Sequence, residues 1–329
     1  MRPNPIGRRP LPVLLACVAF ALSGAQQPVS AQAFPAKAVR IVIPFAAGGS
    51  ADLQARTLGQ KLAEIWGQSV LVDPRPGAGT TIGAAHAAAS PADGYTLYFA
   101  GASLLISGNL YKNLSYDAVT SFAPVSMVAN SPYFLVVHPS VPAATVKALI
   151  ALAKSKPKSL SYASAGTGSG SHLAGELFRM QTGTDLVHVP YKGQAPALLA
   201  LAGGEVGVLF ADVAAVPYVQ AGRMRALAVT ADRRSAVLPA VPTIGEAGLP
   251  GYQMSNWGAI LVPAGTPKPL IAQINAAIVQ ALADADVRQR FAGQGFDAMS
   301  STPEALGSLL AAENAKYARV IKQSGMKIE

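Results

Sequence analysis

Apolar positions along the chain fall into two alternating rhythms. Short runs rich in β-branched residues, such as 39–43, read as buried strands. Between them lie stretches with apolar residues at helical spacing, such as Leu173, Leu177 and Met180 at i, i+4 and i+7. Taken in order, the pattern predicts strand 39–43, helix 53–66, strand 69–73, helix 81–89 and strand 95–100. Two further strands are expected at 122–128 and 133–138. Helix 146–156, strand 160–163, helix 171–182, strand 186–189 and helix 195–202 continue the alternation. Strand 206–211, helix 213–221 and strand 226–229 follow, then a Pro- and Gly-rich loop at 239–251 and strand 257–262. Thr266-Pro267 and Thr302-Pro303-Glu304 open two last helices, with threonine at the N-cap and proline at the first helical position.

Strands alternating with helices at these intervals predict an α/β protein built on parallel, doubly wound sheet. The last helices have no sheet of their own, so they should return to the first half of the molecule. That requires two crossings, near 122–133 and 230–256, and a double crossing makes a hinge. The expected division is lobe 1 from 34–128 plus 250–329, and lobe 2 from 129–249.

Three junctions between strand and helix carry the candidate chemistry. Phe45, Ala46, Ala47, Gly48, Gly49 and Ser50 link the first strand to its helix, with Ser50 the expected N-cap and Asp52 in the first turn. Ser164, Gly166, Thr167, Gly168 and Ser169 form a second loop of small and hydroxyl residues about 115 positions on, leading to His172. Arg75-Pro76-Gly77-Ala78-Gly79-Thr80 is a third. The first N–H groups of a helix lack internal partners and carry partial positive charge, so such junctions can hold an anion. Two of them suggest two half-sites closing on one ligand. Ala78, Gly79, Ser103 and His172 are further candidate ligand contacts. Lys192 ends one predicted strand and could aid an anion; as a bland alternative it is an exposed lysine. Asp212 ends another, where it would repel a carboxylate but welcome an amine or hydroxyl, or would simply cap the next helix.

Composition narrows the class. With 329 residues, 51% of them hydrophobic, the chain suits two lobes. One cysteine excludes an internal disulfide framework. Arg2, Arg8 and Arg9, the apolar run 11–25 and Ala31-Gln32-Ala33 together read as a secretory signal over 1–33, cleaved near Ala33. Val29-Ser30-Ala31 is an alternative site, Cys17 offers a lipoprotein reading, and Arg8-Arg9 a twin-arginine one. Loss of those three arginines lowers the formal charge from +9 to +6. The mature chain is thus modestly basic, without the Lys/Arg block that marks nucleic-acid binding. No metal motif is present among His86, His138, His172 and His188, and Gly77-Ala78-Gly79 with Gly83 follows the wrong strand for a dinucleotide fold. No cofactor is expected. His172 beside Ser169 and Ser171 hints at a nucleophile and base, but nothing nominates a third member.

The motifs in combination resemble the Bug receptors, the extracytoplasmic solute-binding proteins of tripartite tricarboxylate transporters. They include 40–50, Arg75-Pro-Gly-Ala-Gly79, Asp93-Gly-Tyr-Thr-Leu97, 162–169, 172–178, His188-Val-Pro-Tyr-Lys-Gly193, 225–230 and Pro263-Ala-Gly-Thr-Pro267, so the resemblance covers essentially the whole mature chain. Pro74 and Thr80 depart from it, where many relatives have asparagine and glycine. The resemblance implies a monomeric, periplasmic two-lobed binding protein of type II-like fold, not an enzyme. It implies a small carboxylate ligand, whether dicarboxylate, amino acid or aromatic acid, held mainly by backbone groups and waters at 45–50 and 164–171. Transporter membrane subunits would be the partner. The competing readings are a ligand sensor for a membrane signalling protein and a secreted serine hydrolase.

Overall fold

A computed structural model describes Met1 and residues 34–327. The export-signal reading falls almost wholly on residues outside those described. β1 (Val39–Ile43) is buried except at Arg40. α1 (Ser50–Trp66) follows and ends at Gly67, whose φ of +63° stops the helix. β2 (Val70–Pro74), α2 (Thr81–Ala88) and β3 (Thr96–Gly101) complete two strand–helix–strand units. α3 (Ala102–Leu110) springs directly from β3 and was not expected from the sequence. Residues 102–107 are all buried, so the helix has no polar face from which a period could be read.

β4 (Phe122–Pro132) and β5 (Phe134–Val137) come next. α4 (Val146–Ser155), β6 (Ser161–Ser164), α5 (Gly170–Thr182), β7 (Val187–Pro190) and α6 (Gln194–Ala202) follow. β8 (Val208–Ala211) leads into a 3-10 turn, α7 (Val216–Gln220) and β9 (Arg225–Val229). The expected single helix over 213–221 is thus divided, with Pro217 at the start of α7. β10 (Ser255–Pro263), α8 (Lys268–Ala283), α9 (Ala285–Gly293), β11 (Asp297–Ala298) and α10 (Pro303–Ser324) close the chain. Thr302 caps α10 through the Ala305 amide, as the sequence suggests. Thr266 does not cap α8: its hydroxyl donates back to the Pro263 carbonyl, and the helix starts at Lys268. α9 was also missed; Asp284 breaks it from α8 and caps it through the amides of Asp286 and Val287.

The strands make two sheets, β11-β4-β10-β3-β1-β2 and β7-β6-β8-β5-β9. The trio β2-β1-β3 is parallel, as is β7-β6-β8. β10 runs antiparallel to β3 and β4, and β5 antiparallel to β8 and β9. These are strands next to the places where the chain crosses between sheets, without a helix to carry it back to its starting end. β4 stays paired with β10 as far as Pro132, and β5 begins at Phe134. One core cluster runs through both sheets and includes Tyr98, Leu135, Phe178, Phe210 and Tyr317. Alternate β5 residues, Phe134 and Val136, face a second cluster with Leu209 and Val229.

Thr230 ties the two crossings together. Its N–H donates to the Tyr133 carbonyl at 2.9 Å. Its hydroxyl accepts from the Tyr133 N–H at 2.8 Å and donates to the Met254 carbonyl. The C-terminal helices do pack on the first sheet: Asn275 of α8 bonds the Val125 carbonyl of β4, and Trp257 of β10 bonds Tyr317 of α10.

Candidate functional site

The three strand-to-helix junctions leave parallel strands at their C-terminal ends, β1 and β2 side by side in the first sheet and β6 in the second, the position where open α/β sheets bind ligands. In the first, Phe45, Ala46, Ala47, Gly48 and Gly49 are all exposed. Gly49, not Ser50, is the N-cap of α1, and it makes no side-chain cap. Ser50 therefore begins the helix, which leaves its hydroxyl available for another partner. Asp52 turns back over the loop and accepts the Gly48 N–H at 2.9 Å. Arg56 pairs with the same carboxylate at 2.9 Å. Burial acts to raise the Asp52 pKa, but Arg56 and the Gly48 amide outweigh it and hold the group below its usual value.

The second junction rests on a buried polar bed. Tyr162 of β6 donates its hydroxyl to Glu176 of α5, and Arg179 grips the same carboxylate at 2.7 and 3.0 Å. His172 and His188 lie beside this pair, their rings stacked with centroids 3.7 Å apart. Both imidazoles reach the loop. His172 Nδ1 accepts the Gly168 N–H at 3.2 Å, and His188 Nε2 lies 2.7 Å from Ser164 Oγ. Ser164 Oγ in turn accepts the Gly166 N–H, and Ser171 Oγ accepts that of Ala165. Desolvation, with the nearby Arg179 charge, pushes the His172 pKa down to about 4. Desolvation and His172 itself push His188 down to about 3.

Several amides nominated for the ligand thus have internal partners: those of Gly166 and Gly168 organise the loop. The Ser169 hydroxyl caps α5 by accepting the His172 N–H, and it lies 3.1 Å from Ser171 Oγ. Neither serine bonds the His172 ring, whose Nδ1 is taken by Gly168 and whose Nε2 faces Glu176 at 4.0 Å. The Ser–His contact in this region is Ser164 with His188, a pair that no local sequence signal joins.

α3 and the turn after β8 lie against the loops. A Cβ on Gly168 would lie 3.4 Å from Leu110 Cδ1 and 3.8 Å from Ser107 Oγ of α3. Ser107 also donates its hydroxyl to the Gly79 carbonyl, so α3 joins the second and third junctions. Gly79 and Gly168 share this neighbour, while Ala78 is exposed at the edge of the third loop. Ser103, in the first turn of α3, is buried with no hydrogen-bond partner for its hydroxyl. Lys192 is exposed beyond β7, the edge strand of its sheet, and stands two strands from Asp212. Asp212 caps the turn after β8 by accepting the Ala214 N–H at 3.0 Å. It also accepts the Ser50 hydroxyl at 3.3 Å, which joins the first junction to the second sheet.

The chain matches a family described as "Tripartite tricarboxylate transporter family receptor" over residues 54–326. It is 37% identical over 313 residues to Protein BugT of Bordetella pertussis, covering 94% of this chain and 96% of that one. Among solved structures it is similar to Rpa4515 of R. palustris with adipate, at 35% identity and a TM-score of 0.82, over 89% of this chain and 99% of that one. It is also similar to MatC from Rhodopseudomonas palustris with bound malate, at 32% identity and a TM-score of 0.78, over 88% and 100%.

Proposed function

The chain belongs to the receptor family of tripartite tricarboxylate transporters, a family of periplasmic solute-binding proteins, and on that premise we propose that it captures a small carboxylate between its lobes for the transporter's membrane subunits. The observation that carries the reading is the meeting of strand ends from both sheets, with Ser50 and Asp212 in direct contact across it. The relatives solved with adipate and malate support a carboxylate as ligand.

The grip we infer is electrically mild. The loop Phe45, Ala46, Ala47, Gly48, Gly49 and Ser50 presents the N-terminus of α1, with the Gly48 amide itself held by Asp52, and Thr167 and the capping Ser169 flank that of α5. A helix end gives a carboxylate about 0.3–1 kcal/mol, and up to ~2 when partly buried. Hydrogen bonds to a charged oxygen add about 1.5–3 kcal/mol each. A handful of these reach the roughly −8 kcal/mol of a micromolar complex without an arginine. Export with cleavage near Ala33, a monomeric mature chain and lobes over 34–128 plus 250–329 and 129–249 belong to the same proposal. So does action by binding rather than turnover.

Calorimetry on the mature protein with adipate, malate and amino acids tests the reading. Saturable binding, with the ligand recovered unchanged, is the expected result. Failure of every carboxylate to bind overturns it. Closure is read by scattering: the radius of gyration should fall on saturation, and an unchanged value with binding confirmed means a preformed site.

A further inference from the structure

Three carboxylates are buried among the described residues: Asp52, Glu176 and Asp212. Two of them have a cation. Arg56 holds Asp52 at 2.9 Å and Arg179 holds Glu176 at 2.7 Å. Asp212 is 8% exposed, and among the described residues no lysine or arginine pairs with it. Its partners are neutral: the Ala214 N–H and the Ser50 hydroxyl, with the Tyr133 ring nearby. Burial pushes its carboxyl above the usual range, the mark of a charge without compensation. A buried carboxylate is costly unless it is paired.

The position suggests what supplies the pairing. Ser50 is the first residue of α1, whose N-terminal amides are the inferred carboxylate grip. Asp212 is in hydrogen-bond contact with that residue. An α-amino acid carries its ammonium one carbon from its carboxylate, so one small zwitterion reaches both the helix end and Asp212. A second carboxylate in the same place would meet Asp212 as a like charge.

We propose that Asp212 is a specificity determinant of this site and selects ligands bearing an ammonium group beside the carboxylate. The proposal rests on the carboxylate-capture reading above. It sets this chain apart from a receptor for simple dicarboxylates.

Calorimetry on the mature protein with matched pairs tests it: L-aspartate against succinate, L-glutamate against glutarate, and L-leucine against 4-methylpentanoate. The wild type should bind the amino member of at least one pair tenfold or more tightly. Asp212→Asn keeps a side-chain oxygen to cap Ala214 and should collapse that ratio at least tenfold, with the des-amino acid bound as well or better. Ser50→Ala removes the same cross-sheet hydrogen bond but leaves the carboxylate; it should shift both members of a pair together and keep the ratio. Equal binding of both members, a preference for the des-amino acid, or an unchanged ratio in Asp212→Asn overturns the proposal. A Ser50→Ala variant that mimics Asp212→Asn overturns it too, because Asp212 would then act only as a latch. If no carboxylate binds the wild type at all, the carboxylate reading itself fails, and this one with it.

Discussion

The imidazoles of His172 and His188 lie parallel, 3.7 Å between centroids and 5° between planes. The contact suits two neutral rings, and both are held neutral by burial. If both became charged, they would repel at this distance, and a proton on His172 Nδ1 would displace the Gly168 amide.

Acid should therefore destabilise the protein before its carboxylates titrate. The unfolded chain takes protons on both histidines near the ordinary value of about 6.5. The folded chain resists until about 4 for His172 and about 3 for His188. Below about pH 6.5 the unfolded state binds more protons, so stability falls as pH drops through this window and levels only once both folded groups are charged. His172 alone accounts for on the order of 3 kcal/mol at full protonation. Urea melts at pH 7 and pH 4.5 check it; an unmoved midpoint contradicts the assignment.

Thr230→Val should loosen the crossings. Valine keeps the shape but removes the hydroxyl that serves the Tyr133 N–H and the Met254 carbonyl, both buried. Each orphaned group costs about 1–3 kcal/mol. A stability loss of this order, read as a lower urea midpoint at unchanged slope, is expected, whereas Thr230→Ser should recover most of it. Equal stability in all three proteins would remove Thr230 from the hinge.

The glycines of the two junctions should respond differently to valine. A Cβ on Gly49 meets only the Ala46 carbonyl, at 3.7 Å, and the backbone there is extended. Gly49→Val should weaken carboxylate binding at little cost to stability. Gly168 has φ +82° and Leu110 at 3.4 Å, so Gly168→Val should lose binding and about 1–3 kcal/mol of stability together. Paired melts and calorimetry would show whether the two variants separate in this way.

Thr80 holds φ +80°, with its hydroxyl buried and unpartnered. For a β-branched residue that conformation is strained, and glycine adopts it freely. Thr80→Gly should raise stability by about 1 kcal/mol. A lower melting temperature would show that the threonine side chain contributes more packing than it costs in strain.

Arg179→Met should be the most damaging of these changes. It leaves Glu176, which is 3% exposed, with only the Tyr162 hydroxyl and without its cation. Breaking a buried pair in this way costs about 3–5 kcal/mol. The double variant Arg179→Met with Glu176→Gln should recover a substantial part, as a thermal melt would report.

The sequence by itself determined the elements with a local period and local stops. Val39–Ile43 is a strand because its β-branched residues suit a buried pleat, and Gly48-Gly49 ends the run. Leu173 and Leu177 mark α5 and are buried in it, although Met180, the third residue of that spacing, is exposed, and Thr302-Pro303 marks the start of α10. The junctions at 45–50, 75–80 and 164–171 were legible for the same reason: small residues between a strand and a helix are a local signal. α3 was not, because a helix buried on all sides has no polar stripe. Nor was the two-residue strand β11, which is shorter than any period.

The partners were decided only by tertiary structure. Tyr162 stands opposite His188 because β6 and β7 pair in that register, and the register brings His188 to His172 and Ser164. Ser50 bonds Asp212, 162 positions away, because two sheets present their parallel strand ends to each other. Hydrophobic period and capping chemistry act over a few residues. Which side chain meets which across a sheet or between lobes depends on strand register and on where the chain crosses. Those are set by the packing of the whole core, and no short stretch of sequence carries that information.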